Sequence, residues 1–302
     1  MNNSIINATE KIYGIKPKII EPLGGGFYGR AFLVCIECEP FTLVAKLYLF
    51  PGIAIKEAEQ IEALTKPSRL KMPRIYGVLE KEKIDSAYDV LLMEYISGKN
   101  AGWLNTDELH YKHIICEEIV DNLISVHSTV NPNGFGELSS KKYCGTWQEY
   151  YYPIAENTVR KAKVLYEKGQ LSPAVMDVFE RSLEHFYDIF CLPITEARLV
   201  HGDYNTWNIM LDERCHHAIA VIDPFNCCWA DSEIDLYQLD NANGKGYELL
   251  KRYAEKVPLS ENFEAKRRFY ELYSEVSHYH DSQVEVDLPA VESLASKLTE
   301  KI

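Results

Sequence analysis

The sequence predicts an α+β protein of two lobes, a small antiparallel sheet with one helix followed by a larger, mostly helical part. Three observations predict it. The first ~95 residues are short apolar runs rich in β-branched and aromatic residues, cut by Gly and Pro. Beyond Gly98, apolar residues recur at helical spacing over several long segments. Between the two regimes lies Tyr95-Ile-Ser-Gly98, a short connector with turn-forming residues at its end. The expected division is therefore 1–94 for the first lobe, 95–98 for a hinge and 99–302 for the second. With 302 residues, the chain is long enough to give both parts a sizeable core.

Taken in order, Lys16–Pro22, Ala31–Cys38 and Phe41–Phe50 read as strands. Ile53–Thr65 reads as the single helix of the first lobe. Pro67, Pro73 and Gly77 then punctuate a return to two strands, near Ile75–Glu80 and Tyr88–Glu94. Asp107–Thr129, Trp147–Lys168 and Ser172–Phe190 carry apolar stripes with polar faces between them, as surface helices do. Asn131-Pro-Asn-Gly is a loop. Leu199–Asp223 alternates short apolar runs with polar loops, and helices resume from Ser232.

Composition narrows the function. The hydrophobic share of 46% and charged share of 25% are those of a globular protein. A formal charge of −13 lacks the basic footprint a nucleic-acid binder needs. It suits solubility and is compatible with a cationic substrate. No apolar run approaches the roughly 18 residues that span a bilayer, so no membrane partner is expected. Met1-Asn-Asn-Ser-Ile-Ile-Asn has neither the basic start nor the apolar core of a secretory signal, so a cytoplasmic location is expected. The eight cysteines are scattered and read as reduced thiols.

The richest tract is Leu199-Val-His-Gly-Asp-Tyr-Asn-Thr-Trp-Asn-Ile-Met-Leu211, followed by Ala220-Val-Ile-Asp223. An apolar strand leads into a polar loop bearing Asp203 and Asn208, and two further apolar runs return the chain to Asp223. That return places one carboxylate, Asp203, to accept a proton. Asn208 and Asp223 are hard oxygen ligands of the kind magnesium takes. Together the three have the spacing of a site for phosphoryl transfer from a magnesium nucleotide. His201 reads as a support for the loop backbone. Asp235 reads either as a brace for that loop or as a helix cap.

Upstream, Gly24-Gly-Gly-Phe-Tyr-Gly29 lies between two strand-like runs, so Gly24, Gly25, Gly26 and Gly29 form a hairpin whose backbone amides can approach phosphates. Period-two alternation places Val44 and Lys46 on one face of the strand at 41–50. A lysine in so apolar a strand needs an anionic partner. Glu57 shares a helix face with Ile61 and Leu64 and is the expected carboxylate, with Glu59 as the fallback. Leu91–Gly98 ends the sheet at the hinge, where backbone groups near Glu94 and Ile96 are expected to meet a nucleobase. Core packing is the default reading of Trp103, Trp147, Trp207 and Trp229. The alternative is a substrate wall, for which Trp207 and Trp229 lie closest in sequence to the chemistry.

These residues together resemble the aminoglycoside phosphotransferase family, which includes choline kinases and fructosamine kinases. The resemblance runs from Leu23 to about Gly246, anchored on Gly24-Gly25-Gly26, Lys46, Glu57, His201-Gly-Asp203, Asn208 and Ile222-Asp223-Pro224. It implies a two-lobed protein-kinase-like fold, ATP or GTP as donor, Mg2+, and a small-molecule hydroxyl as acceptor. The triple glycine, Glu57-Ala58 and Ile-Asp-Pro followed by Glu233 and Asp235 look like fructosamine kinases. The tract after Gly134-Phe-Gly departs from that pattern, because it lacks the Gly-Ser-Thr-Pro-Gln expected there. The acceptor therefore stays open among amino sugars, aminoglycosides and other cationic metabolites. The competing expectation is a catalytically silent nucleotide-binding module, against which the complete set of polar residues argues. A protein-serine kinase is disfavoured by the short stretch between Asp223 and Asp231.

Overall fold

Alternation along the central strands decides which side chains face which helix, and from that the site follows. In the computed structural model, which describes residues 1–26 and 28–301, the first lobe comprises α1 (Asn2–Tyr13), β1 (Ile19–Gly25), β2 (Gly29–Cys35), β3 (Thr42–Tyr48), α2 (Ile53–Thr65), β4 (Ile75–Leu79) and β5 (Asp89–Glu94). The strands form one antiparallel sheet in the order β1-β2-β3-β5-β4. Leu43, Ala45 and Leu47 of β3, with Val90 and Leu92 of β5, pack toward Ile5 and Ala8 of α1. Their alternates Val44, Tyr48, Leu91 and Met93 pack toward Ala54, Ala58, Ile61 and Leu64 of α2. Lys46 belongs by register to the α2 face.

α1 was not expected from the sequence, which reads a single helix in this lobe. Its segment is polar, and only Ile5 and Ala8 of its apolar residues are fully buried, so the periodic signal is short. Tertiary contact with the sheet supplies what propensity does not. The helix stops at Gly14, whose φ of 73° lets its N–H reach Glu10 O.

The second lobe continues as β6 (Lys99–Asn100), α3 (Lys112–His127), β7 (Val130–Asn131), β8 (Gly136–Glu137), α4 (Trp147–Glu167), α5 (Pro173–Glu184), α6 (Phe186–Ile189), β9 (Ala197–Leu199), β10 (Ile209–Leu211), β11 (Ala218–Val221), β12 (Cys228–Ala230), α7 (Gly244–Tyr247), α8 (Leu249–Lys256), α9 (Phe263–Ser282) and α10 (Leu288–Thr299). Its strands form two small sheets, β11-β10-β6 and β7-β9-β12-β8. One core runs from the α2 face of the first lobe into α3, β9, β10 and β11, through Ile115, Ile119, Leu123, Leu199 and Ile209. A second core joins α4, α5, α9 and α10 around Trp147, Phe179, Phe269 and Val276.

Three boundaries differ from the sequence reading. The helix expected at 107–129 begins at Lys112, after a 3₁₀ turn at Thr106–Glu108. The segment 172–190 breaks at His185 into α5 and α6. The stretch from Ser232 to Asp240 is 3₁₀ rather than α. Among the described residues no helix is long and apolar enough to cross a membrane.

Candidate active site

The glycine hairpin is β1 turning into β2, with Gly24 opposite Ala31 and Gly25 opposite Arg30. Gly29 has a steric reason to be glycine, since a Cβ there would stand 2.4 Å from the Leu47 carbonyl oxygen. Among the described residues, chain neighbours aside, a notional Cβ at Gly24 or Gly26 meets no atom within 4 Å. That leaves the room a phosphate group needs beside the backbone.

Lys46 projects from β3 with 16% of its side chain exposed. Its Nζ lies 2.9 Å from Glu57 Oε1 and 2.8 Å from Asp223 Oδ1. Burial opposes the ammonium charge, but the Asp223 and Glu57 carboxylates outweigh it and hold the pKa above the usual lysine range. Glu57 is buried on α2, which raises its pKa. Lys46 and the Tyr48 hydroxyl, which donates to Oε2 at 2.6 Å, work the other way. The fallback carboxylate Glu59 lies elsewhere and accepts from Ser139 at 3.3 Å.

At the end of β5, Glu94 directs its carboxylate to Lys71 at 2.5 Å, and its N–H donates to Arg74 O. Val44 is buried on the same face of β3 as Lys46. The peptide groups of Ile96 make no hydrogen bond to protein among the described residues, so they remain available to a ligand.

The polar residues of the candidate catalytic loop are held as one unit. Asp203 Oδ1 accepts from Asn205 Nδ2 at 2.7 Å, and Oδ2 accepts from Asn208 Nδ2 at 2.8 Å. The same Asn208 amide nitrogen donates to Asp203 O at 2.8 Å. With both its N–H bonds turned to Asp203, Asn208 presents its oxygen elsewhere. Burial pushes the Asp203 carboxyl up to about 6, against the two asparagine hydrogen bonds and with help from the Asp223 charge. Ile222 N–H donates to Asn208 O at 2.9 Å, tying the loop to the segment that delivers Asp223. Asp223 sits at φ 53°, an uncommon conformation for an aspartate, and its side chain is 43% exposed.

His201 lies beneath this loop. Burial pushes its pKa down to about 4, so the ring is neutral at physiological pH. Its Nδ1 accepts from Asp203 N–H at 3.3 Å. Asp235 is a brace: its two oxygens accept from His201 N and Gly202 N, both at 2.8 Å. Burial works against the Asp235 charge, but His127, 3.2 Å away, keeps its pKa below the usual carboxylate value. Gly202 has φ 81°, and a Cβ there would fall 1.9 Å from Phe225 O. The loop that carries Asp203 and the segment after Asp223 therefore pack in direct backbone contact.

Two asparagines were missed from the sequence. Asn205 joins Asp203 to the loop, as above. Asn122, fully buried on α3, accepts at Oδ1 from Ser68 Oγ, Arg69 N and Leu70 N at 2.8, 2.6 and 2.8 Å. It donates to the Tyr204 hydroxyl at 3.0 Å, and Tyr204 in turn donates to Ile119 O. An available signal was its place on the stripe Ile115, Ile119, Asn122, Val126, where a polar residue needs a buried partner. The tryptophans divide against expectation: Trp147 is buried and Trp229 partly so, whereas Trp207 and Trp103 are exposed.

The fructosamine kinase family model matches residues 4–285. The chain belongs to the fructosamine kinase family. It is 30% identical over 271 residues to a chloroplastic protein-ribulosamine 3-kinase of Oryza sativa subsp. japonica, a match covering 86% of this chain and 73% of that protein. It is 23% identical over 251 residues to the protein YcbJ of Escherichia coli K12, covering 79% of each. Among solved structures it is similar to aminoglycoside phosphotransferase APH(4)-Ia, with a TM-score of 0.72 at 14% identity, covering 99% of this chain and 97% of that one. ADP-bound APH(2'')-Ib gives 0.67 at 17% identity, covering 100% and 98%. The fold is thus two-lobed and protein-kinase-like. As a fructosamine kinase family member, the protein is a nucleotide-dependent kinase of a small-molecule hydroxyl. Among the described residues no group of three or more His, Cys, Asp and Glu side chains could hold a metal ion.

Proposed function

We propose that the protein moves the γ-phosphoryl group of ATP or GTP to a hydroxyl of an amine-bearing sugar, with Mg2+ held by Asn208 and Asp223. The observation that carries this reading is that Lys46 bonds Asp223, Asn208 bonds Asp203, and the N–H of Ile222, next to Asp223, donates to Asn208 O, which gathers the four residues at the lobe boundary. The donor set fits magnesium: an amide oxygen turned away from Asp203 and a carboxylate with a free oxygen, both hard ligands that leave room for phosphate oxygens. When bound, the ion supplies positive charge to the phosphate oxygens. Lys46, steadied by Glu57, binds the α- and β-phosphates, and the Gly24–Gly29 hairpin covers them. Residues 95–98 serve as the hinge, where backbone groups at Glu94 and Ile96 hold the base beside Val44. Asp203, fixed by Asn205 and Asn208, orients the acceptor hydroxyl and takes its proton. A carboxylate suffices, because in a loose transition state the proton leaves late.

The amine-bearing sugar is supported by the family and by the relatives' printed names, which join a sugar to an amine. The net charge of −13 suits a cationic acceptor. The test is a screen of amino sugars, aminoglycosides, choline, nucleosides and glycated amines, read by Mg2+-dependent nucleoside diphosphate release. Asp203→Asn is expected to lower turnover of the best acceptor about 10²–10⁴-fold while nucleotide still raises thermal stability. Undiminished turnover in that variant removes Asp203 from the chemistry. Stabilisation by nucleotide without turnover on any acceptor points to a silent binding module.

A further inference from the structure

Two indoles stand open at the edge of the candidate site. Trp103 is 80% exposed and Trp207 46%, whereas Trp147 is 1% exposed in the core. An exposed pair of large aromatic side chains forgoes burial that the rest of the chain uses, and adjoining apolar surface of that kind marks ligand sites. The two come from distant parts of the chain. Trp103 ends a 3₁₀ turn, Ala101–Trp103, a few residues past the hinge. Trp207 lies in the turn Thr206–Asn208, immediately before Asn208. Their ring centroids are 6.2 Å apart and their planes meet at 46°, so they form a corner.

The corner is built into the catalytic loop. Trp207 rests on Gly102, where a Cβ would stand 2.3 Å from the indole Cδ1. The Asn100 amide donates to the Trp207 carbonyl. Asn205 Oδ1 accepts from Trp207 N–H at 3.0 Å while its Nδ2 donates to Asp203 Oδ1 at 2.7 Å. One asparagine therefore holds the corner and the candidate base in register. Leu104, next to Trp103, lines a neighbouring hollow of mixed character, with Leu109 and Tyr111 beside the polar Asn105, Glu108 and Arg214. The nearest charges along the chain from Trp103, Lys99 and Asp107, have opposite signs. The two indole faces offer a stacking surface to whatever lies there.

We propose that Trp103 and Trp207 form a subsite for a flat aromatic group carried on the nitrogen of the acceptor. The proposal rests on the amine-bearing sugar argued above and narrows it to adducts of amines whose substituent carries an aromatic ring. Two probe acceptors test it, 1-benzylamino-1-deoxyfructose and 1-methylamino-1-deoxyfructose, which share sugar and amine and differ in the ring. The expected kcat/KM is about tenfold higher for the benzyl adduct, expressed mainly in KM. Trp103→Ala and Trp207→Ala should each bring that ratio close to one, and Trp103→Phe should retain most of it. A wild-type ratio near one, or a ratio unmoved by Trp103→Ala, overturns the proposal. If neither adduct is phosphorylated, the amine-bearing-sugar reading fails, and binding decides the subsite separately. In nucleotide-loaded protein labelled with [15N]indole, the benzyl adduct should shift the Trp103 and Trp207 N–H signals, assigned from the alanine variants, more than those of Trp147 and Trp229. The methyl adduct should not. Absence of that selective shift overturns the subsite regardless of turnover.

Discussion

Lys46 and Lys266 each sit between two carboxylates, at nearly the same distances, in opposite circumstances. Lys46 Nζ lies 2.9 Å from Glu57 and 2.8 Å from Asp223, and Lys266 Nζ lies 2.8 Å from Asp231 and 2.6 Å from Glu233. The second cluster is closed: Lys266 is 3% exposed, and the carboxylates are occupied by further donors. Tyr270 donates to Asp231 at 2.7 Å, and Ser260 donates its N–H and its hydroxyl to Glu233, both at 2.7 Å. The first cluster keeps Asp223 43% exposed at the cleft. Two triads of the same composition thus divide into one with spare acceptor capacity and one with none. Spare capacity facing a cleft is what a ligand can use, while the closed triad anchors the 3₁₀ helix whose Asp235 braces the catalytic loop.

Lys266→Met breaks the comparison most directly. It leaves Asp231 and Glu233 buried without their cation and should cost about 3–5 kcal/mol of stability, read by urea unfolding. Lys46→Met should change stability far less, because Asp223 can turn to water and Tyr48 still serves Glu57, yet lower turnover roughly 10²–10³-fold. Equal stability losses in the two variants would erase the distinction. Next in size is Asn122→Leu, which strips one acceptor from three donors and should cost about 1–3 kcal/mol. Because Asn122 also holds Tyr204, beside Asp203, this variant should lose turnover per folded molecule as well. Tyr204→Phe, which keeps the three donors satisfied, should lose less stability.

The smallest effect sharpens the contrast through pH. Burial raises the Asp203 pKa to about 6, against an ordinary aspartate value of 3.8. A raised folded-state pKa means that the native state binds the proton more tightly, so stability falls as pH rises from below 4 through 6. Asp203→Asn removes that penalty. It should melt higher than wild type at pH 8, with the advantage shrinking as pH falls through 6 toward 4. Wild-type turnover should rise with pH through the same region, as Asp203 loses its proton. A melting difference independent of pH would show that the carboxylate is not strained by burial.

Much of the fold could be read from local pattern. Period-two alternation in β3 separates Leu43, Ala45 and Leu47 from Val44 and Lys46, and the two sets do pack on different helices. The spacing of Asp203, Asn208 and Asp223 carries over because a short loop and one β-hairpin connect them, leaving little freedom in where they meet. α1 was missed because a polar segment with a short apolar stripe is helical only against a sheet. Asn122 and Asn205 were missed because an asparagine carries no periodic signal, and its partners lie on other elements or within its own turn.

Sequence alone therefore determined the order of the sheet strands and of α2, the sidedness of the central strand, and the choice of Glu57, Asp203, Asn208 and Asp223, since each depends on neighbours a few positions away or on short connections. Tertiary structure alone decided that Asp235 braces rather than merely caps, and that Trp103 and Trp207 stand in solvent beside each other. Those outcomes depend on how helices dock and on which backbones touch, as at Gly102 and Gly202. Such contacts join residues far apart in the chain, and no local pattern encodes them.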